Sequence, residues 1–401
     1  GPKWCGKTTT AEQFSASKVM LAKTDVKNNF RNLLEIDTDA ALSGETPMLI
    51  DEWQTVPKLW DAVRYTVDSR RKMGQFILTG SAVPDKDAES EREHSGTGRF
   101  AWLTMRPMSL YESGESNGKI ALGDLFNVPN KILEKNSLQL NDIAYLICRG
   151  GWPMAVDLPE EAALEQAFDY YDAVTKEDIT RADGVKRAST KVQRLMRAYA
   201  RHQGTQASIA TLKEDLKSND TDTINEDTIS SYLEALRKIF VIEDMPAWNP
   251  NLRSKTAIRT ADTRYFVDPS IATAALGLGP ADLINDLNTM GFLFETMCVR
   301  DLRVYAEALN GKVYHYRDKS GLECDAVVHL RNGQYGLIEI KLGGESLIND
   351  GANTLNSLES QIDTTRMKAP AFKMILTATG EYAYRRPEDG IYVVPLGCLK
   401  H

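Results

Sequence analysis

The chain has 401 residues, 42% of them hydrophobic and 26% charged, with a formal net charge of −8 and a pI near 5.4. That length exceeds one ordinary core and predicts two or three domains, while the acidic balance excludes a whole-molecule basic field for gripping polyanions, so any nucleic-acid contact has to be local. No run of eighteen consecutive apolar residues and no charged-then-apolar leader is visible, which predicts no membrane partner and a cytoplasmic location; Cys5, Cys148, Cys298, Cys324 and Cys398, scattered and without a C-x-x-C pair, speak against a disulfide framework or a zinc site.

In chain order the first element is a loop. Gly1-Pro2-Lys3-Trp4-Cys5-Gly6-Lys7-Thr8 fits G-x-x-x-x-G-K-[ST] at every fixed position. The backbone amides of such a loop wrap phosphates, Lys7 reaches the β and γ oxygens, and the Thr8 hydroxyl ligates Mg²⁺. Gly1 through Thr9 are therefore the candidate nucleotide-binding residues, with Gly1, Pro2, Lys3, Trp4, Cys5, Gly6, Lys7, Thr8 and Thr9 each lining the phosphates. A loop of this kind joins a buried strand to a helix, and no strand precedes Gly1, so a longer parent chain is expected.

Thr9 to Lys23 is expected to be a helix, with Phe14, Val19, Met20 and Leu21 as its apolar positions and the loop amides at its positive end. Pro47 to Asp51 reads as a buried strand that ends in the acid pair Asp51-Glu52. Leu59 to Ser69 is amphipathic through Trp60, Val63 and Val67, and Gln75 to Ser81 is a second buried strand, so the alternation predicts a mostly parallel sheet. The polar stretch Pro84 to Thr97 reads as a loop, after which Arg99-Phe100-Ala101-Trp102-Leu103 resumes a strand pattern. Asn141 to Cys148 and Ala162 to Ala173 read as helices flanking Arg149-Gly150-Gly151-Trp152-Pro153, and this stretch is expected to form a lid.

From Lys191 onward three short helices are expected, Val192 to Ala200, Ser208 to Leu216 and Glu226 to Phe240, followed by extended segments up to Tyr265-Phe266-Val267, the order of a winged helix. In a nucleic-acid reading the third helix, with Ser230, Ser231, Arg237 and Lys238, enters a groove. A module that only packs domains together explains Tyr232, Leu233, Leu236 and Ile239 equally well. Lys186, Arg187, Lys191, Arg194, Arg197 and Arg201 form a basic run with no acidic residue between them, either a polyanion contact or a solvated helix face. A helix from Met290 to Leu309, strands at Val313 to Arg317, Leu322 to Leu330 and Tyr335 to Leu342, a helix at Ile348 to Thr364 and strands at Phe372 to Thr377 and Gly390 to Pro395 complete an α-β-β-β-α-β order. The expected division is a nucleotide core at 1–125, a helical lid at 126–190, a winged-helix-like module at 191–285 and an α/β C-terminal domain at 286–401.

Hydrolysis of ATP needs charge neutralisation at the γ-phosphate and a positioned water. Asp51 is the residue for the Mg²⁺ shell, Glu52 for orienting the water, and Thr79 or Ser81, at the end of the next strand, for contacting that water or the γ-phosphate. At this point the chain resembles the AAA+ ATPases of bacteria and archaea whose C-terminal portion is a domain of unknown function with a nuclease-like pattern. The resemblance rests on the loop, on Pro47-Met48-Leu49-Ile50-Asp51-Glu52-Trp53-Gln54, Pro57-Lys58-Leu59-Trp60, Leu78-Thr79-Gly80-Ser81, Gly98-Arg99, Arg106-Pro107-Met108-Ser109-Leu110 and Gly150-Gly151-Trp152-Pro153, and it covers nearly the whole chain. It implies a ring-like homo-oligomer, such as a hexamer, with ATP sites between subunits and an arginine donated in trans. Arg99 is the first choice for that arginine and Arg106 the second, with Arg149 acting from the lid on its own subunit; an ordinary surface salt bridge is the competing explanation for each.

Glu323-Cys324-Asp325 followed by Glu339-Ile340-Lys341, with Glu295 on the preceding helix, resembles the PD-(D/E)XK nuclease pattern, with Cys324 where the pattern's name has proline. On that resemblance Asp325 and Glu339 hold a divalent cation, Mg²⁺ or Mn²⁺, and Lys341 stabilises developing charge. Glu339 and Lys341, two apart on a strand, project from one face, as charged pairs on any exposed sheet also do. Two whole-protein readings follow: an oligomeric ATPase that moves on or cleaves DNA, and an ATP-driven signalling or protein-remodelling switch whose terminal domain only recognises a partner. A degenerate nucleotide-binding scaffold is the third, opposed by the intact Lys7, Asp51 and Glu52.

Overall fold

The computed structural model describes residues 1–82, 97–127, 132–218, 224–250 and 258–401. Of the polar loop expected at Pro84 to Thr97, only Thr97 falls among them. The chain divides into two compact units, one of Gly1–Arg106, Glu177–Arg187 and Leu233–Val241, the other of Pro107–Lys176, Ala188–Tyr232 and Ile242–His401. Both mix helices and strands. Among the described residues no helix is long and apolar enough to cross a membrane, and all five cysteines are buried and unpaired.

In the first unit, strands β1 (Ser17–Met20), β2 (Met48–Asp51) and β3 (Phe76–Thr79) form a parallel sheet in the order β1-β2-β3, with Val19 opposite Ile50 and Ile50 opposite Leu78. The central strand is buried along its whole length, which is why Met48-Leu49-Ile50 is a continuous apolar run rather than an alternating one. Phe30 and Leu34 of the helix Thr24–Ile36, four residues apart, and Trp60 and Val63 of the helix Leu59–Arg70 close the core over Leu21, Leu42, Met48 and Ile50. The helix expected over Thr9 to Lys23 is shorter: it runs only from Lys7 to Gln13, and Phe14 behind it is 67% exposed. Val19 and Met20 belong to β1 instead, because parallel pairing with β2 uses a β-branched residue opposite Ile50 better than a helical face would. Arg99 to Leu103 is not a strand either. Its two aromatic residues serve as ring contacts, Phe100 stacking on Trp60 with centroids 3.7 Å apart and an 8° interplanar angle, and Trp102 lying 5.6 Å from the same ring.

The second unit holds β4 (Ile120–Ala121), β5 (Leu133–Lys135), β6 (Gly311–Arg317), β7 (Glu323–Leu330), β8 (Tyr335–Lys341), β9 (Phe372–Thr377), β10 (Tyr382–Arg385), β11 (Tyr392–Pro395) and β12 (Leu399–Lys400). Seven of them make one mixed sheet in the order β5-β10-β11-β9-β8-β7-β6, parallel at β11/β9 and β9/β8 and antiparallel elsewhere. Its core brings Trp248, Tyr316, Val327, Tyr335 and Leu337 together with Leu355 and Leu358 of the helix Glu345–Gln361. The helix-strand-strand-strand-helix-strand order from Leu287 to Thr377 is present, with β10 and the distant β5 added at one edge. β4 pairs in parallel with β12, Ile120 opposite Leu399, and residues 107–125 pack as part of the second unit, after the first unit's opening stretch Gly1–Arg106. Among the described residues, the segments after the helix Glu226–Lys238 meet one another at isolated bridges, Ile242 with Phe266 and Met245 with Thr263.

A buried polar network ties three distant stretches of this unit together. Arg300, with a side chain 1% exposed on the helix Leu287–Ala308, donates to Asp268 at 2.8 Å and to Asp301 at 2.8 Å. Asp301 accepts the Leu110 amide at 2.9 Å, Asp268 accepts the Gly151 amide at 3.0 Å, and Ser270, bonded to Asp268, accepts the Trp152 indole at 2.9 Å. Gly150 has φ +72°, and a Cβ there would lie 2.4 Å from the Ser270 hydroxyl oxygen, so this turn requires glycine on both conformational and steric grounds. The motifs around Met108 and Gly150 are thus anchors to the long helix.

Candidate functional site

The loop Gly1 to Gly6 reaches the helix Lys7–Gln13 through two left-handed residues, Trp4 at φ +64° and Gly6 at φ +89°. Its Lys7 ammonium folds back onto the Pro2 carbonyl of the same loop. Thr8 donates its hydroxyl to Asp51 Oδ1 at 2.9 Å, and Thr79 donates to the same oxygen at 2.5 Å. Asp51, at the end of β2 and only 5% exposed, is therefore held by two charge-assisted hydrogen bonds, each worth about 1.5–3 kcal/mol. The parallel register sets Thr79 directly opposite Asp51, and that is why two residues 28 apart in sequence converge.

Glu52 leaves the strand at φ +59° and ψ +40°, a left-handed conformation that costs a non-glycine residue roughly 1–3 kcal/mol and is found where a site requires it. The turn sends its carboxylate to the Gln54 amide at 2.5 Å and the Ser81 hydroxyl at 3.3 Å. Thr79 and Ser81, both expected at water or γ-phosphate, thus sit on the two acids themselves. A hydroxyl, a carboxylate and a lysine beside a loop of backbone amides are a hard-oxygen and cationic set whose chemistry fits a magnesium-bound triphosphate: Thr8 and Asp51 could hold the ion, and Lys7 and the loop amides the phosphates. The other loop residues divide. Cys5 is buried, its thiol pushed up by burial and only partly offset by Lys7, and Thr9 is exposed. Lys3 turns to Asp178, at 2.5 Å.

The candidate arginines have other partners. Arg99 is ion-paired with Asp68 at 2.8 Å, and Arg106 donates to the Thr104 carbonyl at 3.3 Å. Arg149 belongs to the second unit, where its guanidinium, 5% exposed, pairs with Glu115 and donates to the Gly150 carbonyl. In the basic run, Arg187 grips Asp183 at 2.6 Å, and Arg201 holds Asp215 through two bonds of 2.9 and 2.6 Å.

In the second unit Lys341 lies between two carboxylates, 3.1 Å from Asp325 and 2.7 Å from Glu339, and Asp325 also accepts the Ile340 amide at 2.7 Å. Glu339 is 3% exposed, and its Oε1 has no hydrogen-bond partner. Burial, then the neighbouring Asp325, pushes its carboxyl up to about 8, against the pull of Lys341. Glu295 accepts the Tyr265 hydroxyl and is likewise pushed up to about 8, by burial and then Asp325. Burial opposes the Lys341 charge, but Asp325 and Glu339 outweigh it and raise its pKa. Among the described residues no group of three or more His, Cys, Asp or Glu side chains is arranged to hold a metal ion.

Residues 1–114 match the family described as AAA domain, residues 140–282 a domain of unknown function (DUF8612) and residues 290–399 a domain of unknown function (DUF4143). The N-terminal stretch is thus similar to P-loop domains of the AAA kind. Two uncharacterized mycobacterial proteins, Mb2031c of Mycobacterium bovis and Rv2008c of Mycobacterium tuberculosis, are each 23% identical over 343 residues, 85% of this chain and 69% of theirs. Among solved structures, the Walker-type ATPase PABY2304 of Pyrococcus abyssi aligns at 18% identity over 62% of this chain and 67% of its own, with a TM-score of 0.35.

Two kinds of participant in these sites are not legible in the sequence as roles. Gln54, which enters the sequence analysis only as the end of the motif around Asp51, is a direct partner of Glu52; its place two residues after that acid is the available signal. Asp178 and Tyr265 carry none, since each meets its partner across 175 and 30 residues of sequence.

Proposed function

We propose that the chain is a Mg²⁺-dependent ATPase that assembles into a ring and couples ATP turnover to the binding or processing of DNA. The observation that carries the reading is the convergence of Thr8 and Thr79 on one oxygen of Asp51, with Glu52 next in the chain and turned onto Gln54 and Ser81. In this reading Thr8 and Asp51 would hold Mg²⁺, which would supply charge neutralisation at the phosphate oxygens, while Lys7 leaves the Pro2 carbonyl for the phosphate and Glu52 accepts a proton from the attacking water. Arg99, nearly half exposed, breaks its pair with Asp68 to serve a neighbouring subunit. A winged-helix-like segment at 191–285 and a nuclease-like domain at 286–401, with Asp325, Glu339 and Lys341 at its site and a second divalent cation there, supply the DNA end. The test is the ATPase rate of the full-length protein with and without DNA, beside nicking of supercoiled plasmid in Mg²⁺ or Mn²⁺. Stimulated hydrolysis with metal-dependent nicking is expected; hydrolysis indifferent to DNA, without nicking, overturns the coupling.

One observation favours a second reading. The Lys341 ammonium is ion-paired to both Asp325 and Glu339, so the cluster's one lysine is already engaged by its own carboxylates. A non-catalytic terminal domain that recognises a protein partner, with ATP setting the conformation, uses that arrangement as it stands.

A further inference from the structure

We propose that Asp178 is a positioning residue of the nucleotide site, holding the first half of the phosphate loop in shape through its ion pair with Lys3. The inference rests on the ATPase reading and adds to it a segment far down the chain. Lys3 Nζ lies 2.5 Å from Asp178 Oδ1, and the Asp178 side chain is 10% exposed against 39% for Lys3, so the acid is the fixed partner and the lysine the one that comes to it. Glu177–Arg187 packs as part of the first unit although 70 residues of the other unit separate it from Arg106. It is internally braced: Arg187, with a side chain 1% exposed, chelates Asp183 through bonds of 2.7 and 2.6 Å and donates to the Ile179 carbonyl at 3.2 Å, and Ile179 and Ala182 are buried. Asp178 therefore presents its carboxylate from a rigid base.

The loop has need of an anchor at this place. Trp4, the next residue, is held at φ +64°, a conformation that persists in a non-glycine residue only where its surroundings impose it, and its side chain is 41% exposed. The ion pair at Lys3 and the buried Pro2 fix the backbone immediately before that turn. The two loop lysines thereby have different duties: Lys7 carries the charge for phosphate, and Lys3, neutralised by Asp178, sets the curvature that turns the amides inward.

The test titrates the full-length protein with a fluorescent ADP analogue and with Mg·ATP turnover, for the parent, Asp178→Asn, Lys3→Ala, the double variant and Lys3→Arg. Asp178→Asn and Lys3→Ala are each expected to weaken nucleotide affinity and raise KM by roughly five- to twentyfold with kcat nearly unchanged, the double variant to lose no more than either single one, and Lys3→Arg to stay within about twofold of the parent. A parent that binds and variants that bind equally well overturn the positioning role and leave the ATPase reading standing, as do losses that add in the double variant. A parent that binds no nucleotide overturns the ATPase reading and this inference with it. Should Asp178→Asn fail to fold, Lys3→Ala, on the more exposed partner, decides the question by the same affinity measurement.

Discussion

Glu52 and Asp51 are adjacent, yet the left-handed turn at Glu52 separates their surroundings: Asp51 is clamped by hydroxyls from two elements, and Glu52 faces an amide and a serine. Different surroundings predict different losses. Glu52→Gln keeps the shape and the turn, so nucleotide affinity should hold while kcat falls by roughly 10²–10⁴-fold, as for removal of a proton acceptor. Lys7→Ala removes a cation from the phosphates and should weaken binding at least about tenfold, read by equilibrium titration. A third residue reports through pH. His315 on β6 sits between the Gln206 amide at Nδ1, 3.3 Å away, and the Ala261 carbonyl at Nε2, 3.0 Å away, an arrangement complete for a neutral ring with its proton on Nε2. Burial lowers its pKa below the ordinary 6.5. The unfolded chain then binds the proton first as pH falls, so this contribution to stability is whole above pH 6.5 and is lost below it. Melting temperature followed from about pH 8 to pH 5 should fall less steeply in His315→Gln than in the parent over the acid half of that range.

The helix Leu287–Ala308 shows what a single element does here. It carries the buried Arg300-Asp301 pair that collects Asp268, the Leu110 amide and, through Asp268, the Gly151 amide. Removing one member leaves uncompensated charge in a dry place. Arg300→Met should cost about 3–5 kcal/mol in urea unfolding, whereas a same-sized change at exposed Arg181 should cost less than about 1 kcal/mol. Gly150→Ala attacks the same network from the far side, where strain at φ +72° adds to a 2.4 Å overlap, and it should lower the unfolding midpoint without altering the first-unit loop. The sequence marks Gly150-Gly151-Trp152-Pro153 as special but points it at nucleotide. The partners that give those glycines their purpose lie 117 and more residues further on, beyond any local pattern.

On the scale of the whole chain the two candidate sites fall in different compact units and should be separable by mutation. Asp325→Ala and Lys341→Ala should abolish any Mg²⁺- or Mn²⁺-dependent nicking while leaving basal ATPase within about twofold; nicking that survives both would deny the carboxylate cluster that activity. What sequence alone determined is what local chemistry dictates: the glycine-lysine loop, whose G-x-x-x-x-G-K-[ST] pattern is written in consecutive residues; the continuous apolar run of a doubly buried strand ending in acids; and the central strands of the C-terminal sheet, among them Phe372–Thr377, whose limits are legible from the apolar pattern itself. What only the tertiary structure decided is whatever depends on pairing across long separations: that Val19 is a strand residue, that β4 and β5 join the C-terminal strands, that Arg149 serves Glu115, and that Lys3 reaches Asp178. The division has a physical cause. Propensity and periodicity act over a turn or a strand, while hydrogen bonds and ion pairs are closed by whichever group the folded chain brings within about 3 Å, and the sequence distance between those groups leaves no trace in either one's neighbours.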